Sequence, residues 1–205
     1  MTTERWLTPV LRSCIRPVSS FAMVALVVVS CGTADDETTT KAPPESPAVD
    51  TSVNTAYGTV AEVAGYLETV NPHITAFGVL QVEYEEALAS SRKGNDSRKG
   101  TGHNLAMKAA SVRPGLQTIL EKLDGIEPPP LLAPFHRDTR KMLATRIDAL
   151  GRTIEGWDVE QAGGAFEAVY AEAEAKYEAA NQLILQLNTQ MNKINTAMLE
   201  ATGAS

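Results

Sequence analysis

The chain has 205 residues, 43% of them hydrophobic and 21% charged, with 5% aromatics and a net charge of −7. That length holds one globular domain with additional segments, at ~100–200 residues per domain. Abundant alanine beside few aromatics favours closely packed helices over a β-sandwich, and the acidic balance argues against nucleic acid as a partner.

Residues 1–20 carry Arg5, Arg12 and Arg16 against Glu4, and residues 21–29 (FAMVALVVV) form an apolar run. The run is too short to cross ~30 Å of hydrocarbon as a helix. It has the length of a signal-peptide h-region. It leads into Val28-Val29-Ser30-Cys31-Gly32, which resembles the bacterial lipobox. Val28 stands as the aliphatic residue at −3, Val29 is tolerated at −2, and the small Ser30 at −1 precedes the cysteine. The segment departs from the commonest form in having Val rather than Leu at −3, and its n-region is long.

The resemblance implies that residues 1–30 are a signal peptide and that the Cys31 thiol carries diacylglycerol through a thioether. Ser30 is small enough for the lipoprotein signal peptidase to reach the scissile bond. Several acyl chains, palmitate among them, anchor stably where one chain binds only marginally. Gly32, in place of the aspartate that retains such proteins in the inner membrane, implies the outer membrane of a Gram-negative envelope. In other hosts the expected place is the extracytoplasmic face of the cell membrane. Cleavage removes a segment of net charge +2, taking the chain from −7 to −9, and removes Cys14. Cys31 is then the sole thiol, and no disulfide framework is expected.

Residues 31–55 are the lipidated cysteine and a linker rich in Thr, Pro and acidic residues, without apolar periodicity. This composition predicts a disordered tether with a span of roughly 25–30 Å.

Residues 56–205 predict an all-α domain, an up-down-up-down four-helix bundle. The first helix follows Val60, Val63, Leu67, Val70, Ile74, Phe77, Leu80, Tyr84 and Leu88, with the period running through Pro72. The second follows Leu105, Ala109, Val112, Leu116, Ile119 and Leu123, with Pro114 as a kink or a late start. Gly125 and Pro128-Pro129-Pro130 end it. The third runs from Leu132 through Phe135, Met142, Leu143, Ile147 and Leu150 to Ile154, and is expected to close at Gly156-Trp157. Asp158 is then expected to cap a fourth helix running from Val159 to Met198.

No cofactor is expected. None of His73, His103 and His136 has a Glu three residues before it, as a di-iron bundle needs, and Cys-x-x-Cys-His is absent. The proline-rich turn and the last helix resemble the layout of the periplasmic four-helix-bundle cytochromes. A b-type member of that family implies a haem-ligating His in the last helix. Residues 159–205 contain none, and Ala175-Lys176-Tyr177-Glu178 stands there instead. The prolines, apolar pair and His136 at a helix start also resemble those of uncharacterised helical bacterial lipoproteins, a likeness that brings no activity with it.

His136 is read as packing near the bundle end or bonding the turn, against a ligand or pH-sensitive role. Residues 91–100 repeat Ser-Arg-Lys-Gly and place Arg92, Lys93, Arg98 and Lys99 together on an acidic chain. The bland reading is a solvated loop. The functional one is an anion-binding loop for lipid headgroups, anionic envelope polymers or an acidic protein. Glu167, Glu172, Glu174 and Glu178 read as a solvated face. The apolar seam of the last helix, flanked by Asn181, Asn188, Asn192 and Asn195, offers a route to self-association. No nucleophile elbow, P-loop or dinucleotide fingerprint is present.

The resulting expectation is a non-enzymatic, membrane-anchored envelope lipoprotein that binds or scaffolds. Its alternatives are a small-ligand or haem-type carrier or sensor bundle and, behind that, an envelope-remodelling enzyme.

Overall fold

The first helix starts where Thr59 and Glu62 form a capping box. Glu62 N–H donates to Thr59 Oγ1 at 3.2 Å, and Thr59 N–H donates back to Glu62 Oε2 at 2.9 Å. Donation to its carboxylate from the Thr59 N–H and then from the Thr59 hydroxyl holds the Glu62 carboxyl below its ordinary value. Two more orphan helix donors are met by upstream backbone: Val60 N–H reaches the Val53 carbonyl and Ala61 N–H the Thr51 carbonyl. A small hairpin, β1 (Asn54–Thr55) with β2 (Gly58–Thr59), brings this stretch back onto the helix. Gly58 supplies the φ of 121° at its turn. Residues 51–55, assigned to the linker by composition, thus belong to the start of the bundle. Backbone pairing holds them, and composition does not report it.

The computed structural model describes residues 51–93 and 101–203, which lie within one compact unit spanning Val49–Ser205. Its helices are α1 (Val60–Lys93), α2 (Thr101–Asp124), α3 (Ala133–Gln161) and α4 (Glu167–Thr202), with a 3-10 turn at Pro130–Leu132 before α3. Pro72 and Pro114 lie inside α1 and α2 rather than between helices. Both are exposed, as are Glu68 and Ala110 four residues earlier, whose carbonyls lose their helical donor.

The chain turns later after α3 than expected. Asp158 is inside α3, where its carbonyl accepts the Ala162 N–H at 3.1 Å. The helix ends in a Schellman motif: Gly163 takes φ 73°, Gly164 N–H bonds the Val159 carbonyl, and Gly163 N–H bonds that of Glu160. α4 therefore begins at Glu167, and Val159 and Ala162 do not belong to it.

Gly156 is not a stop but a notch. A Cβ there would lie 2.6 Å from Tyr170 Cε1, and one at Gly102 would lie 2.6 Å from the Tyr170 hydroxyl. Tyr170 of α4 is thus seated between α2 and α3, and its hydroxyl donates to Glu160 Oε2 at 3.0 Å. Gly156→Ala is expected to cost about 1–3 kcal/mol through overpacking against the ring. The clash outweighs the ~1 kcal/mol that alanine gains over glycine in helix propensity. Urea denaturation reads the difference, and a variant more stable than the parent would remove the notch.

Cross-links show each helix antiparallel to the next. Glu83 pairs with Lys108 between α1 and α2 at 3.2 Å, and Asp124 pairs with Arg140 between α2 and α3. Lys176 meets Asp148, and Arg152 meets Glu172, between α3 and α4. Along the axis between the helices lie Val63 and Val70 of α1, Leu116 and Leu123 of α2, Leu143 and Leu150 of α3, and Ile184 and Ile194 of α4. The fold is an all-α, up-down-up-down four-helix bundle. Among the described residues, no helix is long and apolar enough to cross a membrane.

Candidate functional site

Val28, Val29, Ser30 and Cys31 lie outside the described residues, as do Arg98 and Lys99. Arg92 and Lys93 are the last two residues of α1, so the basic segment follows the bundle end away from Thr51. The carboxylates of α4 do not converge. Glu167, Glu172 and Glu178 are exposed, and Glu174 is half-buried. The apolar seam of α4 is turned inward: Ile184, Leu187 and Ile194 are core residues, and Leu183, Met191 and Met198 pack against that core. An open groove of about 480 Å³ lies beside the hairpin, lined by Tyr57, Asn192, Lys193 and Glu200 among others. Among the described residues, no three His, Cys, Asp or Glu side chains are grouped to hold a metal.

His136 takes the structural role expected of it. It is buried in the first turn of α3, and its Nδ1 lies 3.0 Å from the Tyr66 hydroxyl of α1. The rings meet edge to face at 6.0 Å. A neutral imidazole accepts the Tyr66 proton at Nδ1 and keeps its own proton on the other nitrogen, with the Leu123 backbone as a hydrogen-bond partner of the ring. Burial, helped by Arg140, holds the imidazole below its ordinary value of 6.5, while Leu123 and Asp124 oppose. Burial likewise drives the Tyr66 phenol above its ordinary range.

The unfolded state therefore binds the proton first as pH falls. Stability contributed by neutral His136 is present above the unfolded value and is lost as pH drops below about 6.5 toward the folded one. Denaturant midpoints at pH 7.5 and pH 5 are expected to differ in that direction, and His136→Gln is expected to shrink the difference. An equal pH dependence in the variant would assign the effect to other groups.

The sequence reading missed the main polar feature of the interior, Arg146 of α3. It sits three residues after Leu143 and four before Leu150, on the core stripe. That position was the available signal, and the charge masked it. Arg146 is 2% exposed. Its guanidinium carbon stacks 3.7 Å from the Tyr177 ring centroid, and Nη2 donates to Asn181 Oδ1 at 2.6 Å. Tyr177 in turn donates to Glu85 Oε1 of α1 at 3.2 Å, and Gln81 Nε2 donates to the same oxygen at 2.8 Å. The Tyr84 hydroxyl lies 3.3 Å from Thr153 Oγ1, next along the bundle.

Among the described residues no carboxylate lies within ion-pair distance of Arg146. Burial pulls its basicity down, opposed by Tyr177 and Glu85 nearby. The cluster links α1, α3 and α4 around a void of only about 10 Å³. Ligand pockets measure roughly 300–1,000 Å³, so the interior is filled rather than hollow. No protein family, curated protein or solved structure matches this chain.

Proposed function

We propose that this chain is a lipid-anchored envelope protein that works through the outer surface of its bundle, binding or scaffolding other envelope components. The observation that carries the reading is the short apolar run leading to Ser30-Cys31-Gly32 after an arginine-bearing n-region. The filled core supports the outward-acting part of it. An interior void of about 10 Å³ favours it over a carrier that holds its ligand in the bundle core.

Cys31 precedes Thr51 by 20 positions, and the Thr51 carbonyl accepts from Ala61 N–H at the start of α1. A lipid on Cys31 would tether the bundle through the segment that precedes α1. The basic run of Arg92, Lys93, Arg98 and Lys99, which begins at the last two residues of α1, is read as a contact for anionic envelope polymers or an acidic protein. With the α4 seam turned inward, partners meet the helices' outer faces. Growth with a labelled fatty acid tests the reading. Label is expected on the processed wild-type chain, and an unlabelled chain retaining residues 1–30 would overturn it.

A further inference from the structure

Gln81 and Arg146 carry unmatched hydrogen-bonding groups at the same place in the interior. Arg146 is 2% exposed, and its Nε and Nη1 have no partner. Gln81 is 9% exposed, and its Oε1 has none. The orientation of the Gln81 amide is fixed by chemistry, because the Glu85 carboxylate accepts its Nε2–H and has no proton to give in return. The amide oxygen is therefore the atom left over. Both side chains border the same void of about 10 Å³, lined also by Phe77, Leu116, Leu150 and Tyr177 among others.

We propose that this void is a binding site for a single water molecule, which accepts from the Arg146 guanidinium and donates to Gln81 Oε1. The volume is at the threshold for one water, at roughly 10–15 Å³, and within a mainly apolar lining Arg146 and Gln81 supply unpartnered donors and an acceptor. An anion would satisfy the guanidinium but only accepts, so it would meet Gln81 Oε1 as one acceptor facing another. A carboxylate is also too large for the space. Water alone among common small species matches two donors and one acceptor in that volume.

The bridge joins α1 to α3 across the bundle, one step along it from the direct contact of Tyr84 with Thr153. It also accounts for a glutamine where the α1 core stripe would otherwise carry an aliphatic residue.

Nuclear Overhauser spectra of the full chain test the assignment. Cross-peaks are expected between water and the methyl groups of Leu116 and Leu150, with opposite signs in the laboratory and rotating frames, as a long-lived internal water gives. Gln81→Met, which fills the space and removes the acceptor, is expected to abolish them while the native amide spectrum is retained. Absence of the cross-peaks in the wild-type chain would overturn the site by itself, whether or not the variant folds. Undiminished cross-peaks in a folded variant would overturn the bridge to Gln81. Their displacement by added bromide, with a shift of the Arg146 Nε–H resonance, would replace the water with an anion.

Discussion

Arg146→Ala is expected to lower the unfolding free energy by about 3–5 kcal/mol, whereas Arg146→Met costs less than about 1.5 kcal/mol. Truncation to alanine enlarges the void at the centre of the bundle and uncovers the Tyr177 ring that the guanidinium stacks on. It also leaves the Asn181 side chain without its donor. Methionine keeps most of the volume with a flexible apolar chain and removes a charge that was taken out of water without a carboxylate beside it. A desolvated cation of this kind contributes little net stability, since its burial penalty offsets its contacts. Chemical denaturation of both variants at pH 7 separates volume from charge. Equal losses in the two would show that the charge holds the core together.

Cys31→Ser is expected to move the protein from the membrane fraction to the soluble or secreted one, with an effect close to complete. Without the thiol no thioether to diacylglycerol can form, and among the described residues no helix is long and apolar enough to cross a membrane. The far-UV circular dichroism of the variant should match that of the wild-type bundle, because the hydrogen bonds that start α1 begin at Thr51, well after Cys31. A Cys31→Ser chain that stays with the membrane through washing would place the anchor elsewhere.

Much of the fold was legible because four long stretches repeat apolar residues at helical spacing, and that spacing survives Pro72 and Pro114. The capping box was legible too, as Thr59-x-x-Glu62, and was passed over for the apolar residues beside it. The α3–α4 junction was not legible. Glycine is written the same way whether it ends a helix, as Gly163 does at φ 73°, or makes room for a ring, as Gly156 does for Tyr170. Asp158 carries a capping side chain yet lies mid-turn in α3, because the left-handed residue that stops the helix comes five positions later.

Arg146 shows the reverse case. Its spacing put it in the core, but a hydrophobicity pattern counts an arginine as surface. Only the packing of Tyr177 and Asn181 around it shows how the charge is accommodated. The anchor depends on no tertiary contact at all. The proposed processing would read the linear run to Cys31, so that part of the account rests on the sequence alone.

The most direct measurement is the mass of the N-terminal tryptic peptide of the protein purified from its own envelope. The account predicts residues 31–41 carrying diacylglycerol on Cys31, with no peptide from residues 1–30. An unmodified peptide covering residues 13–41 would contradict it.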